Sequence, residues 1–297
     1  MTVILPKHHH AQTALESHHI TCIDPDHAEK QDIRPLRIGI LNIMPNVKSY
    51  EFNLLYPLGK SILQIDPVWI KLKSHSYKSS STVHLDELYI DFDEAVKDQH
   101  LDGLIITGAP VEELEFEAIN YWDEVKEILE YSRENIASTL GICWGAMALA
   151  KMIDVPKKQT AKKIFGVYST KNMDQGHSIT GDLDDYFDCP QSRHAGYDDQ
   201  ALEDARDAGL INLLAYSEDA GYSIFETVDQ RYLMHLGHPE YNSGRLVEEF
   251  HRDQTAGRDD VDPPVGFDVD RPVNSWRSHR NEFFSQWIKH VYLHTTF

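Results

Sequence analysis

Four apolar runs, at residues 36–44, 68–72, 101–108 and 139–143, alternate with stretches of helical spacing at 51–58, 85–97, 121–136 and 145–153. This alternation constrains the fold more than any other feature. Strands separated by helix-length segments must run parallel and place helices on both faces of a sheet. The runs are continuously apolar, as buried central strands are, and not alternating like half-exposed ones. An α/β fold with a mostly parallel sheet is therefore expected. Functional loops should sit at the carboxyl ends of the strands. Three loops qualify: M-P-N-V-K after the first run, T-G-A-P-V-E after the third and C-W-G after the fourth.

The second half is less regular. A strand is expected at 211–216, a hairpin around Asp229-Gln230 and helices at 244–254 and 274–293. The stretch 257–272, broken by D-P-P, reads as a surface connection, and the acidic run 112–117 as a solvated loop apart from Glu112. Trp276 and Trp287 at helical spacing read as core or subunit contact.

Among only three cysteines, Cys143 stands between two glycines where a strand pattern becomes a helix pattern, in G-I-C-W-G. This is the thiol form of a nucleophile elbow. Such a turn holds the sulfur at the tip of the sheet, and the following helix directs free N–H groups and its dipole at the site. A buried structural cysteine is the plainer alternative. A thiol nucleophile needs a base, and L-G-H-P-E-Y at 236–241 offers one. Pro239 favours extended chain, so His238 and Glu240, two residues apart, face one way. The carboxylate would orient the imidazole, giving Cys-His-Glu triad logic, with a surface-loop histidine as the alternative.

Composition narrows the field. A formal net charge of −20 argues against a non-specific nucleic-acid binder or a polybasic membrane binder. Cys22, Cys143 and Cys189 form no disulfide framework, so a reducing, cytoplasmic setting is expected. No signal peptide and no bilayer-spanning stretch is read.

Taken together, the motifs resemble the homoserine O-acyltransferases of the transsuccinylase-like type. The resemblance runs through D-I-R-P-L-R-I-G-I-L-N-I-M-P, D-G-L-I-I-T-G-A-P-V-E, Y-W-D-E-V-K-E-I, S-T-L-G-I-C-W-G-A, K-I-F-G-V, S-R-H, G-H-P-E-Y and N-S-W-R-S-H. It implies a flavodoxin-like sheet similar to class I glutamine amidotransferases. The chain would be one acyltransferase domain over 1–297, with an N-terminal arm to about 35 and a C-terminal helical extension from about 265. The resemblance further implies Cys143 as the acyl-accepting nucleophile, His238 as the base and Glu240 as its orienter. Lys163, Ser192 and Arg252 would line the substrate site, with Arg252 holding the acceptor's carboxylate. Glu112, which follows G-A-P-V, accompanies acetyl-CoA in place of succinyl-CoA. Its carboxylate would repel the terminal carboxylate of a succinyl group. The expected activity is transfer of acetyl from acetyl-CoA, a co-substrate with no other cofactor, to homoserine through an acyl-cysteine. The family is compatible with a homodimer.

The sequence departs from the family in its first loop. Where the family reads M-P-K-K-x-x-T-E-x-Q-L-L, this chain has Asn46, Val47, Tyr50 and Asn53, while keeping Glu51. F-G-V-Y-S-T also replaces F-G-V-F-E-H at 165–170. A bulkier Tyr50 would shorten the acceptor pocket by about one methylene, worth about 1–3 kcal/mol, which makes serine the alternative acceptor. Two further classes are weighed. A glutamine amidotransferase would usually carry glutamine where Met147 stands, and a non-catalytic binding module would not depend on Cys143. His8, His9, His10, His18 and His19 read as a flexible polar arm and not a metal site, because no cysteine or carboxylate spacing completes one.

Overall fold

The computed structural model describes residues 2–296. One twelve-stranded sheet runs through it. Its parallel centre consists of β3 (Leu36–Leu41), β4 (Gln64–Lys71), β6 (Gly103–Ile106), β7 (Ser138–Ile142) and β12 (Tyr232–His235). Each expected strand is present, trimmed by a residue or more where the chain turns into its loop.

Side chains alternate across the sheet as a two-residue period requires. Ile105 packs with Ile38 and Ile40 on one face, under α3 (Val47–Leu58) and the long α10 (Arg277–His294). Leu104 and Ile106 face the other way, toward α6 (Trp122–Asn135) and α7 (Trp144–Lys151). The tryptophans of the last helical region belong to the first of these cores. Trp287 donates to Ser138 Oγ at 3.1 Å and Trp276 to the Tyr241 carbonyl at 2.8 Å, so neither indole N–H is buried unpaired.

Three expectations need correction. The N-terminal segment is not a flexible arm: β1 (Thr2–Ile4) and β2 (Thr21–Ile23) extend the sheet in parallel beyond β4, with α1 (Gln12–Ser17) and α2 (Pro25–Ala28) between and after them. The stretch 85–97 is not one helix. It divides into α4 (Thr82–Leu88) and α5 (Phe92–Lys97), because Tyr89 turns extended and β5 (Ile90–Asp91) pairs with β4. The largest omission is a long antiparallel hairpin, β8 (Lys158–Asn172) with β9 (Tyr186–Gly196). It is joined to the parallel half through β10 (Ile211–Ser217) and β11 (Gly221–Thr227), with α8 (Asp199–Asp207) before β10. The expected Asp229-Gln230 hairpin is present between β11 and β12.

Candidate active site

The elbow is built as its glycines require. A Cβ on Gly141 would meet the Gly145 carbonyl oxygen at 2.5 Å, and one on Gly145 would meet the Ile106 carbonyl oxygen at 2.3 Å. Only hydrogen fits at either position. Between them Cys143 takes φ 51°, ψ −111°, a strained conformation for a residue with a side chain, and caps α7 at its N-terminus. Its amide is tied to the His235 carbonyl at 2.9 Å and its sulfur faces the Ser192 carbonyl at 3.9 Å.

The strand beside it brings His238 to the sulfur. β12 pairs with β7 in register, so the chain after His235 emerges next to the chain after Ile142. The His238 amide is held by the Pro190 carbonyl at 2.8 Å and its ring stacks on Tyr241 at 4.1 Å. Nδ1 lies 2.8 Å from Glu240 Oε1, which leaves Nε2 for the thiol. Cys143 and His238 both abut Gly108 at the end of β6: a Cβ there would lie 3.5 Å from the Cys143 Cβ and 3.3 Å from His238 Cε1. Burial pushes the His238 imidazolium down, but the Cys143 sulfur and the Glu240 carboxylate together outweigh it and hold the ring well above its ordinary value. The imidazolium is therefore the form of His238 that this arrangement favours.

These groups open onto a cleft of about 440 Å³. Glu112, Lys163, Ser192 and Arg252 all line it together with Cys143 and His238; Glu240 is fully buried behind the imidazole. Ser192 Oγ donates to Glu249 Oε2. Lys163 Nζ, almost fully buried, lies 2.6 Å from Asp253 and 3.7 Å from Glu249. Arg252 is about half exposed and pairs with Asp253 at 2.8 Å. Glu112 is anchored through its carbonyl, which accepts from Lys157 at 2.7 Å and Gln159 at 2.9 Å.

Several lining residues went unnoticed in the sequence. Arg245, Glu249 and Asp253 share one face of α9 (Ser243–Thr255) at four-residue spacing, a signal that was there to be read. Burial would raise the Glu249 carboxyl, but Lys163, Arg245, His238 and Arg252 pull it down to about 2. His194, from β9, stands in the S-R-H stretch that carries the resemblance, with no role implied for it there; Arg258, from the segment after α9, had no local pattern to mark it.

The first-loop expectation is corrected in detail. Asn46 lines the cleft in a left-handed conformation that asparagine tolerates. Tyr50 does not line it. Its ring is buried behind Tyr241 and beneath the Arg245 guanidinium, 6.0 and 5.9 Å away, and its hydroxyl donates to Glu240 Oε1 at 3.0 Å. The N-terminal histidines are corrected as well: His9 and His10 do meet a carboxylate, that of Glu51, from a distant part of the chain.

With this geometry described, likeness to known proteins decides the family. The homoserine O-succinyltransferase family model matches residues 2–297. The chain belongs to that family. A homoserine O-acetyltransferase of Clostridium botulinum (strain Alaska E43 / Type E3) is 40% identical over 304 residues, covering 100% of this chain and 98% of its own. The protein of the same description from Bacillus subtilis (strain 168) is 37% identical over 302 residues, covering 100% and 99%. A crystal structure of a glutamine amidotransferase from Thermotoga maritima superposes with a TM-score of 0.56 at 12% identity, covering 87% of this chain and 99% of that one. At that identity the likeness speaks for the fold alone, a glutamine amidotransferase-like α/β sheet, as expected.

Proposed function

We propose that this family member transfers the acetyl group of acetyl-CoA to the side-chain hydroxyl of L-homoserine, by way of an acetyl-cysteine at Cys143. As a member of this family the chain is an acyltransferase. The observation that carries the mechanism is the line Cys143–His238–Glu240 opening onto a cleft whose far wall is charged and buried.

The thiolate attacks the thioester carbonyl, and we assign the oxyanion to the N-terminal amides of α7 and those of the Gly108–Ala109 loop. The carbon–sulfur bond to coenzyme A breaks, and the imidazolium gives its proton to the departing thiolate. Once the sulfur is acylated its negative charge is gone, so the neutral His238 takes the proton of the incoming hydroxyl. That oxygen attacks the new thioester, the O-acetyl ester forms, and the Cys143 sulfur leaves, regenerating the pair. Two steps replace one, with ping-pong kinetics.

Lys163, Ser192 and Arg252 are the groups we assign to the acceptor, and Glu112 to exclusion of longer, anionic acyl groups. The product fits methionine synthesis. Three scattered free cysteines accord with a cytoplasmic setting. Intact-protein mass after mixing with acetyl-CoA tests the mechanism. An acetyl adduct on the wild type, absent from Cys143→Ala and discharged by homoserine, is expected; undiminished product from Cys143→Ala would overturn it.

One observation favours serine as a second reading. Tyr50, large and buried, backs Arg245 and Tyr241, and those two residues line the cleft. The two acceptors separate by kcat/KM with acetyl-CoA held constant: a value for serine far above that for homoserine would establish this reading over the first.

A further inference from the structure

Away from the cleft, four side chains converge on one carboxylate. Glu51, in the first half of α3, is completely buried. Its Oε1 accepts from the Tyr89 hydroxyl at 3.0 Å and lies 2.6 Å from His84 Nε2. Its Oε2 faces His10 Nε2 at 2.5 Å and His9 Nε2 at 3.5 Å. The His9 side chain has no solvent exposure, and its Nε2 makes no hydrogen bond among the described residues. One atom each from His9, His10 and Glu51 lies within 4.8 Å of the other two.

We propose that His9, His10 and Glu51 form a binding site for a divalent transition metal ion of the zinc class. His84 and Tyr89 hold the second carboxylate oxygen from outside. Zinc bonds of about 2.0–2.1 Å in a tetrahedron put neighbouring ligand atoms about 3.3 Å apart. The His9–Glu51 separation, 3.5 Å, is already close to that value, and His10 reaches it by withdrawing less than about 1 Å. Two imidazoles and a carboxylate suit zinc, cobalt or nickel, whereas calcium and magnesium take oxygen ligands. His10 is partly open to solvent, which leaves a fourth position for water. The second carboxylate oxygen is already bonded, as ligating carboxylates usually are.

Ligation has one identifiable penalty. His9 Nδ1 now accepts the Ala11 N–H at 3.2 Å, so its proton sits on Nε2. Binding moves that proton to Nδ1 and gives up the Ala11 bond, so micromolar and not nanomolar affinity is expected. The ion would fasten the N-terminal segment to α3, one residue from the Tyr50 that supports Glu240.

The test uses the full chain, treated with chelator and passed into metal-free buffer. Zn²⁺ is titrated by calorimetry, and Co²⁺ by its visible absorption. One equivalent per chain, a cobalt spectrum of low coordination number and a rise in Tm with Zn²⁺ are expected. His10→Gln keeps a donor to Glu51 and so preserves the packing while removing a ligand; it should lose the site. His84→Ala should weaken it about 10–100-fold. His18→Ala/His19→Ala, which removes histidines outside the cluster, should leave it intact. Absence of binding to the wild type, or equal binding by wild type and His10→Gln, would overturn the proposal and leave Glu51 as a carboxylate held by N–H and O–H donors alone. None of these readouts depends on acyl transfer.

Discussion

Tyr50→Phe should widen the pH range of the first half-reaction. The Tyr50 hydroxyl and His238 Nδ1 both bond to Glu240 Oε1, at 3.0 and 2.8 Å, and Oε2 has no partner. The phenol therefore withdraws charge from the one oxygen that stabilises the imidazolium. A hydrogen bond to a charged group contributes about 1.5–3 kcal/mol. If roughly half of that is transferred to the His238 contact when the hydroxyl is removed, the imidazolium gains about 0.7–1.5 kcal/mol, or about half to one pKa unit. The sign follows from the wild-type balance. Burial pushes His238 down, while Cys143 and Glu240 hold it up. A less encumbered Glu240 holds it higher still. The limb of kcat/KM for acetyl-CoA that reports loss of the imidazolium proton should move up by about half to one pH unit. Phenylalanine keeps the packing against Tyr241, so the variant should fold, with about 1 kcal/mol of stability lost. The assay is release of free coenzyme A thiol across the pH range. An unmoved limb, or one moved downward, would refute the view that Tyr50 tempers the base through Glu240.

Other substitutions probe other links. Gly145→Ala drives a methyl into the Ile106 carbonyl and should destabilise the chain by about 3 kcal/mol or more, read as a fall in the urea midpoint. Glu112→Gly should admit a succinyl donor, measured as turnover with succinyl-CoA that the wild type lacks. Stability should fall as pH drops from about 6.5 toward 4. Burial lowers His235 to about 3 and His290 to about 4, so the unfolded chain takes up protons that the folded one refuses. His238, held up, is already charged in both states below its unfolded value and does not oppose this trend. The urea midpoint at pH 5 should lie clearly below that at pH 6, by up to about 2 kcal/mol in stability; equal midpoints would contradict it.

The parallel half of the fold and the triad were legible because their signals are local. A buried strand must be apolar along its length, a tight strand-to-helix turn must carry glycine, and a base two residues from its orienter needs only extended chain. Residues 158–196 were not legible. β8 carries exposed lysines on one side and is stabilised by its partner β9, across a connection whose register no short pattern encodes. The charged face of α9 lay between these cases, written in four-residue spacing yet meaningful only once Lys163 was known to oppose it.

The sequence by itself determined that a cysteine stands at a glycine-lined elbow on a parallel sheet, and that His238 and Glu240 face one way, since these depend on neighbours along the chain. The tertiary structure alone decided what surrounds them. It put Tyr50 on Glu240 across 190 residues, and Lys163 between two buried acids of α9. It also brought His9 and His10 to Glu51. Charges desolvated together must be paired wherever the chain places them, and that pairing is set by packing in space, not by distance along the sequence.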